Sequence, residues 1–90
     1  MIRILIADDH TIMREGLKRI LDGIDDIQVI GEAVDGFDTL DKVRKNAFDV
    51  LLMDLSMPGR SGVDLIRQIK DEFPKLPILI LTMHEEEQYA

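Results

Sequence analysis

Four strand-length apolar runs divide this chain: IRILIA (2–7), IQVIGEA (27–33), DVLLMD (49–54) and PILILT (77–82). Each is rich in Ile, Leu or Val, and the segments between them repeat their apolar residues at helical spacing. Met13, Leu17, Ile20, Leu21 and Ile24 make one stripe, with Gly23 near its natural stop. Leu40, Val43 and Ala47 make a weaker one. Leu65, Ile66, Ile69 and Phe73 make a third, opened by Ser61 with Asp64 as a capping box and ended by Pro74 and Pro77. Strict alternation of strand and helix predicts an α/β fold with a parallel sheet. Right-handed crossovers then leave few ways to connect it.

The first and third runs are apolar on both faces, as central strands covered by helices are. The second run carries Gly31 and Glu32 and belongs at an edge. The predicted strand order is 2-1-3-4, the flavodoxin-like doubly wound arrangement, which reverses direction between the first and third strands. Such sheets bind ligands at that reversal, beyond the carboxyl ends of the strands. Asp8 and Asp9 follow the first strand and Asp54 ends the third, so three carboxylates converge on one crevice. The fourth run is as apolar as the central ones and should have a neighbour on each side, but too few residues follow Thr82 to make another strand. The expectation is one domain over residues 1–90, truncated at its C-terminal side, with a fifth strand and last helix missing. An unpaired apolar edge and an uncovered sheet face would then favour self-association.

The 18 acidic against 11 basic residues give a formal net charge of -7, which argues against nucleic-acid binding by this stretch. The absence of cysteine excludes disulfides and thiolate metal sites. No run approaches the length of a membrane span, and Ile4 to Ala7 is too short for a signal peptide, so a cytoplasmic location is expected.

Two carboxylates about 4 Å apart repel by roughly 4 kcal/mol at an effective dielectric near 20. Three resist ionising together unless a cation joins them. Oxygen donors suit a hard ion, and Mg²⁺ fits because it keeps several waters and accepts phosphate oxygens. A carboxylate beside such an ion is a plausible nucleophile towards phosphorus, giving an aspartyl phosphate. Asp54, at the end of a central strand, is best placed to accept; Asp8 and Asp9 would hold the ion. A phosphatase of the haloacid-dehalogenase kind also uses a strand-end Asp, but it needs a second acid two residues on, where this chain has Ser56. A flavodoxin-like nucleotide or flavin binder needs a phosphate loop after the first strand, and here two acids stand in that place.

The segments ADDH (7–10), GEAVDG (31–36), LLMDLSMPGRSG (51–62) and LTMH (81–84) together resemble the receiver domain of bacterial two-component response regulators, of the NarL/FixJ type. The resemblance implies phosphoryl transfer from a sensor histidine kinase to Asp54, with Mg²⁺ held by Asp8, Asp9, Asp54 and the backbone carbonyl of Ser56. It implies that Thr82 is the switch hydroxyl that bonds the phosphoryl group. It also implies a C-terminal DNA-binding domain, so that a parent protein regulates transcription and contacts DNA only through that domain. Such a domain is a regulatory phosphoacceptor rather than an enzyme with a separate substrate. The family's strand-five Lys and aromatic switch have no counterpart within residues 1–90, which leaves an alternative: a receiver-like interaction module that is not phosphorylated.

Each residue also has a plainer reading. Asp8 and Asp9 alone would be expected to cap the next helix. Pro58 and Gly62 fit ordinary turn chemistry, Gly62 permitting a tight reversal. Thr82 matches a capping box with Glu85 as well as it matches a phosphate contact. His10 and His84 are too far apart for a ligand-spaced motif and are expected to be exposed or packing residues beside the site.

Overall fold

The computed structural model describes residues 1–55, 57 and 61–81. Within them the elements run β1 (Ile2–Ala7), α1 (Thr11–Asp22), β2 (Ile27–Ala33), α2 (Gly36–Lys45), β3 (Val50–Asp54), α3 (Gly62–Glu72) and β4 (Ile78–Leu81). The strands form one parallel sheet in the order β2-β1-β3-β4, so the expected topology is the observed one.

Alternation along β1 and β3 divides the core in two, because successive side chains point to opposite faces. Leu5, Ala7, Leu51 and Met53 face α2 and α3, where they bury Leu40, Val43, Leu65 and Ile69. Ile4, Ile6 and Leu52 face the other way, towards Leu17 and Leu21 of α1. The two sides are unequal. No residue of α1 is fully buried, whereas α2 buries four and α3 two. Part of the expected α1 stripe therefore stays outside: Leu17 and Leu21 pack inward, while Ile20 is 67% and Ile24 45% exposed.

Local chemistry sets the element ends. Asp35 caps α2 by accepting from the Asp38 amide at 2.7 Å. Ser61 accepts more loosely from the Asp64 amide, at 3.5 Å, so the expected cap is present. Helix α3 stops at Phe73, whose extended φ of -132° suits a residue that precedes proline. Ala47 lies past the end of α2, which buries Thr39 along with Leu40 and Val43 instead.

Strand β2 is an edge strand, as its polarity predicts, and its pairing with β1 skips Ile30: Ile4 faces Val29 and Leu5 faces Gly31. A Cβ at Gly31 would stand 3.2 Å from the side-chain ends of Leu5 and Phe48, which would have to give by a few tenths of an ångström to admit it. Asp49 begins no strand; it accepts from the Arg3 amide at 2.7 Å and clamps the start of β3 to β1. Strand β4 pairs with β3, and its Leu79 and Ile80 remain largely exposed among the described residues.

Candidate functional site

The parallel register brings the ends of β1 and β3 level, with Ala7 opposite Met53. The next residue on each strand is an acid, so Asp8 and Asp54 emerge side by side at the carboxyl edge of the sheet. Both are about 1% exposed, a burial that carboxylates seldom reach without partners. Asp9 is more open, with its side chain 31% exposed. Asp8, Asp9, His10 and Asp54 each place one ligand atom within 4.8 Å of the others. Three of these four were expected at the crevice from the sequence.

The fourth was not. His10 was expected to sit beside the site, yet its Nδ1 lies 3.0 Å from Asp8 Oδ1, 3.1 Å from Asp9 Oδ1 and 3.7 Å from Asp54 Oδ2. The His10 pKa is raised above the ordinary imidazole value, first by its hydrogen bond to Asp8 and next by the charge of Asp9. The backbone explains the placement. His10 is extended at the N-cap of α1, and its amide donates to Asp8 Oδ1 at 2.8 Å. That bond folds the Asp8 carboxylate back over the loop and brings the imidazole with it. No side chain caps α1 at this position, so Asp8 is engaged with the loop rather than with the helix. The sequence did contain the signal: a His two residues after one acid and one after another, in a turn too short to send it elsewhere.

A second set of residues holds the acidic loop from behind. Arg14 Nη1 donates to the Asp8 backbone carbonyl at 2.7 Å, and Arg14 Nε donates to Glu32 Oε1 at 3.1 Å. Lys18 reaches the other Glu32 oxygen at 3.1 Å, and Lys42 donates to the Glu32 carbonyl. Burial pushes the Glu32 carboxyl up, but the hydrogen bonds from Lys18 and Arg14 prevail and hold it below its usual value. Glu32, which marked β2 as an edge strand, is thus the anchor that ties α1 and β2 to the acid pair.

On the far side of the crevice, Leu55 follows Asp54 and meets the start of α3. A Cβ added at Gly62 would lie 2.8 Å from both the carbonyl oxygen and the Cδ2 of Leu55. The φ of Gly62 is outside the left-handed region, so glycine is needed for space and not for a tight reversal. Ser56, Pro58 and Thr82, also expected at the site, lie outside the described residues, as does His84.

The arrangement is an oxygen-rich cluster with two buried carboxylates, open to solvent through Asp9 and His10. Its donor set fits a hard divalent cation, and its position at the strand-order reversal fits a phosphorylated ligand. No helix among the described residues is long and apolar enough to cross a membrane.

Comparison with known proteins agrees with this reading. The family model for the response regulator receiver domain matches residues 4–90. The oxygen regulatory protein NreC of Staphylococcus carnosus is 47% identical over 88 residues, which cover 97% of this chain and 41% of that protein. The chain thus spans about two-fifths of the length of the curated relatives it matches. Among solved structures, RcsB from Salmonella enterica serovar Typhimurium, bound to promoter rprA in the presence of phosphomimetic BeF3-, superposes with a TM-score of 0.89 at 39% identity. That match covers 94% of this chain and 72% of the RcsB chain. The isolated REC domain of the same protein gives a TM-score of 0.88 at 39% identity, over 93% of this chain and 63% of that one. With the topology, the acid cluster and these similarities in agreement, this chain belongs to the response regulator receiver domain family of two-component systems.

Proposed function

We propose that Asp54 is the phosphoacceptor of this receiver and that residues 1–90 act as one phosphorylation-dependent signalling domain. The observation that carries the reading is the buried Asp54 carboxylate, grouped with Asp8 and Asp9 at the end of the central strands. An Asp54 oxygen attacks the phosphorus of a phosphohistidine on a sensor kinase. The P–N bond breaks, the kinase imidazole leaves with its electron pair and takes up a proton, and an acyl phosphate forms on Asp54. Asp8 and Asp9, with Asp54 and the Ser56 carbonyl, would hold Mg²⁺, which when bound would supply neutralising charge beside the transferring group. Arg14 and Glu32 keep the acid loop in place while this happens. Thr82 bonds the phosphoryl group as the switch hydroxyl. By analogy with NreC and with promoter-bound RcsB, the output is transcriptional control through a separate DNA-binding domain, inside the cytoplasm.

Mg²⁺ binding gives the experiment. An ion that binds only the folded state stabilises it by about 2.7 kcal/mol at a hundredfold excess over Kd. For a domain of this size that is a rise in melting temperature on the order of 10 °C. Asp9→Asn should remove most of the rise. A melting temperature that stays the same from no Mg²⁺ to excess would contradict the assignment.

The exposed apolar side chains support self-association as well. Ile12 is 89% and Ile20 67% exposed on α1, and Leu79 is 57% exposed on β4. Burial of such residues against a second copy gains roughly 1.5–3 kcal/mol for each large side chain fully covered. Light scattering over a dilution series should therefore show mass falling towards that of a monomer as the protein is diluted. A constant monomer mass at high micromolar concentration would rule the association out.

A further inference from the structure

The acid cluster sits at the carboxyl edge of the sheet, and a second concave region lies at the opposite edge. A cavity of about 730 Å³ opens between the C-terminal ends of α2 and α3, a size that suits a small ligand. Asp49 on its rim stands five residues before Asp54 along β3, roughly 16 Å away, so the two places do not overlap. Phe48 and Phe73, two of the chain's three phenylalanines, line it together with Leu76. All three pack on the buried core but are only partly covered by it, so each keeps an apolar face towards the cavity.

The acids on the rim are already engaged. Asp49 accepts two bonds from the Arg3 guanidinium, at 3.2 and 3.4 Å. Glu72 accepts two from Arg44, at 2.8 and 2.6 Å, and this bonding holds its carboxyl down at about 2. The same pair ties α2 to α3, which keeps the cavity walls together without a ligand. Helix C-termini disfavour anions, but Lys42, Arg44 and Lys45 in the last turn of α2 and Lys70 in that of α3 offset this. Lys75 belongs to neither helix and has no ion-pair partner among the described residues. Arg44 gives Nε and Nη2 to Glu72, which leaves Nη1 for a further acceptor. On a chain of net charge -7, the donors left over at this rim are cationic.

We infer that this cavity binds a small hydrophobic carboxylate, its apolar body against Phe48 and Phe73 and its charge at the rim of Lys75 and Arg44. Charge complementarity selects the class. A cationic ligand would meet Lys75 and Arg44 with both nearby acids already paired, and a neutral one would leave those donors to water. A carboxylate shares Arg44 with Glu72, so its affinity depends on how firmly that ion pair holds.

The test uses the isotope-labelled 90-residue chain at neutral pH and three probes of one shape: phenylpropionate, phenylpropanol and phenylpropylamine. Phenylpropionate should shift amide resonances within residues 43–49 and 72–76, with a dissociation constant on the order of a millimolar. The alcohol and the amine should bind about fivefold more weakly or worse. Lys75→Gln should weaken phenylpropionate about fivefold, whereas Glu72→Gln, which releases Arg44, should tighten it by about the same factor. An apolar hollow without a charged rim would not give these opposite signs. Equal binding of all three probes, unchanged by either substitution, would overturn the anion site and leave the hollow to a side chain of a protein partner. No shift of those resonances at about ten millimolar phenylpropionate would overturn the proposal outright.

Discussion

Asp54→Asn should abolish phosphoryl transfer to the protein. Incubated with acetyl phosphate and Mg²⁺, the unaltered protein gains one phosphate by intact mass, and the variant gains none above background. The expected loss is large because the amide is no nucleophile towards phosphorus, and no neighbouring group can replace it. Asp8 is as buried as Asp54, but its Oδ1 already accepts from the His10 amide, and in the proposed site its carboxylate holds the ion. Asp9 is more open, yet it lies beyond the end of β1 rather than on the central strand that carries Asp54. The fold should survive the change, since Asn fills the same volume. A variant with unchanged circular dichroism that still takes up one phosphate would mean that another residue is the acceptor.

Gly62→Ala should be the most damaging single-methyl change near the site. Alanine is favoured over glycine within helices by about 1 kcal/mol, and Gly62 opens α3. Against that gain stands a Cβ placed 2.8 Å from the Leu55 carbonyl oxygen and 3.1 Å from the Leu55 Cα. Both of these are backbone atoms, which cannot swing aside as a side chain would. Overpacking of this kind costs roughly 1–3 kcal/mol, so the balance is a net loss. The strain also has a direction. Leu55 is bonded to Asp54, so a shift that relieves the clash moves the acceptor relative to Asp8 and Asp9. The expected result is a lower urea midpoint and a slower reaction with acetyl phosphate. An unchanged midpoint with an unchanged rate would show that the β3–α3 connection yields freely and does not aim Asp54.

Much of this fold was legible because its strands are bounded chemically. The runs 2–7 and 27–33 coincide with β1 and β2: Met1 and Asp26 precede them, Asp8 follows the first directly, and Asp35 and Gly36 follow the second after Val34. The strand order followed from polarity, with Glu32 and Gly31 marking β2 as an edge. What remained hidden depends on contacts between residues distant in sequence. Arg14 and Glu32 are 18 positions apart, and nothing in either segment says that they meet behind Asp8. The outward tilt of Ile20 is likewise a tertiary fact: Leu17 and Leu21 define the face that meets the sheet, and Ile20 falls on its flank.

At the site the three acids were readable, because the ends of adjacent parallel strands must lie together once the order is known. His10 is exposed beside the site as expected, but its contacts with Asp8 and Asp9 were not foreseen. It was judged by its distance from His84, when the relevant partners were the two residues just before it. Gly62 was noticed, but for its dihedral freedom, whereas the structure requires it for the space beside Leu55.

The central claim is that the carboxylate of Asp54 carries the phosphoryl group, and one measurement meets it directly. After reaction with acetyl phosphate and Mg²⁺, borohydride reduces an aspartyl phosphate to homoserine, and tandem mass spectrometry of the digested protein locates the change. Homoserine at position 54 and nowhere else, formed only when Mg²⁺ is present, is the predicted result. Homoserine at position 8 or 9, or a phosphate on a hydroxyl or histidine that borohydride leaves intact, would contradict it.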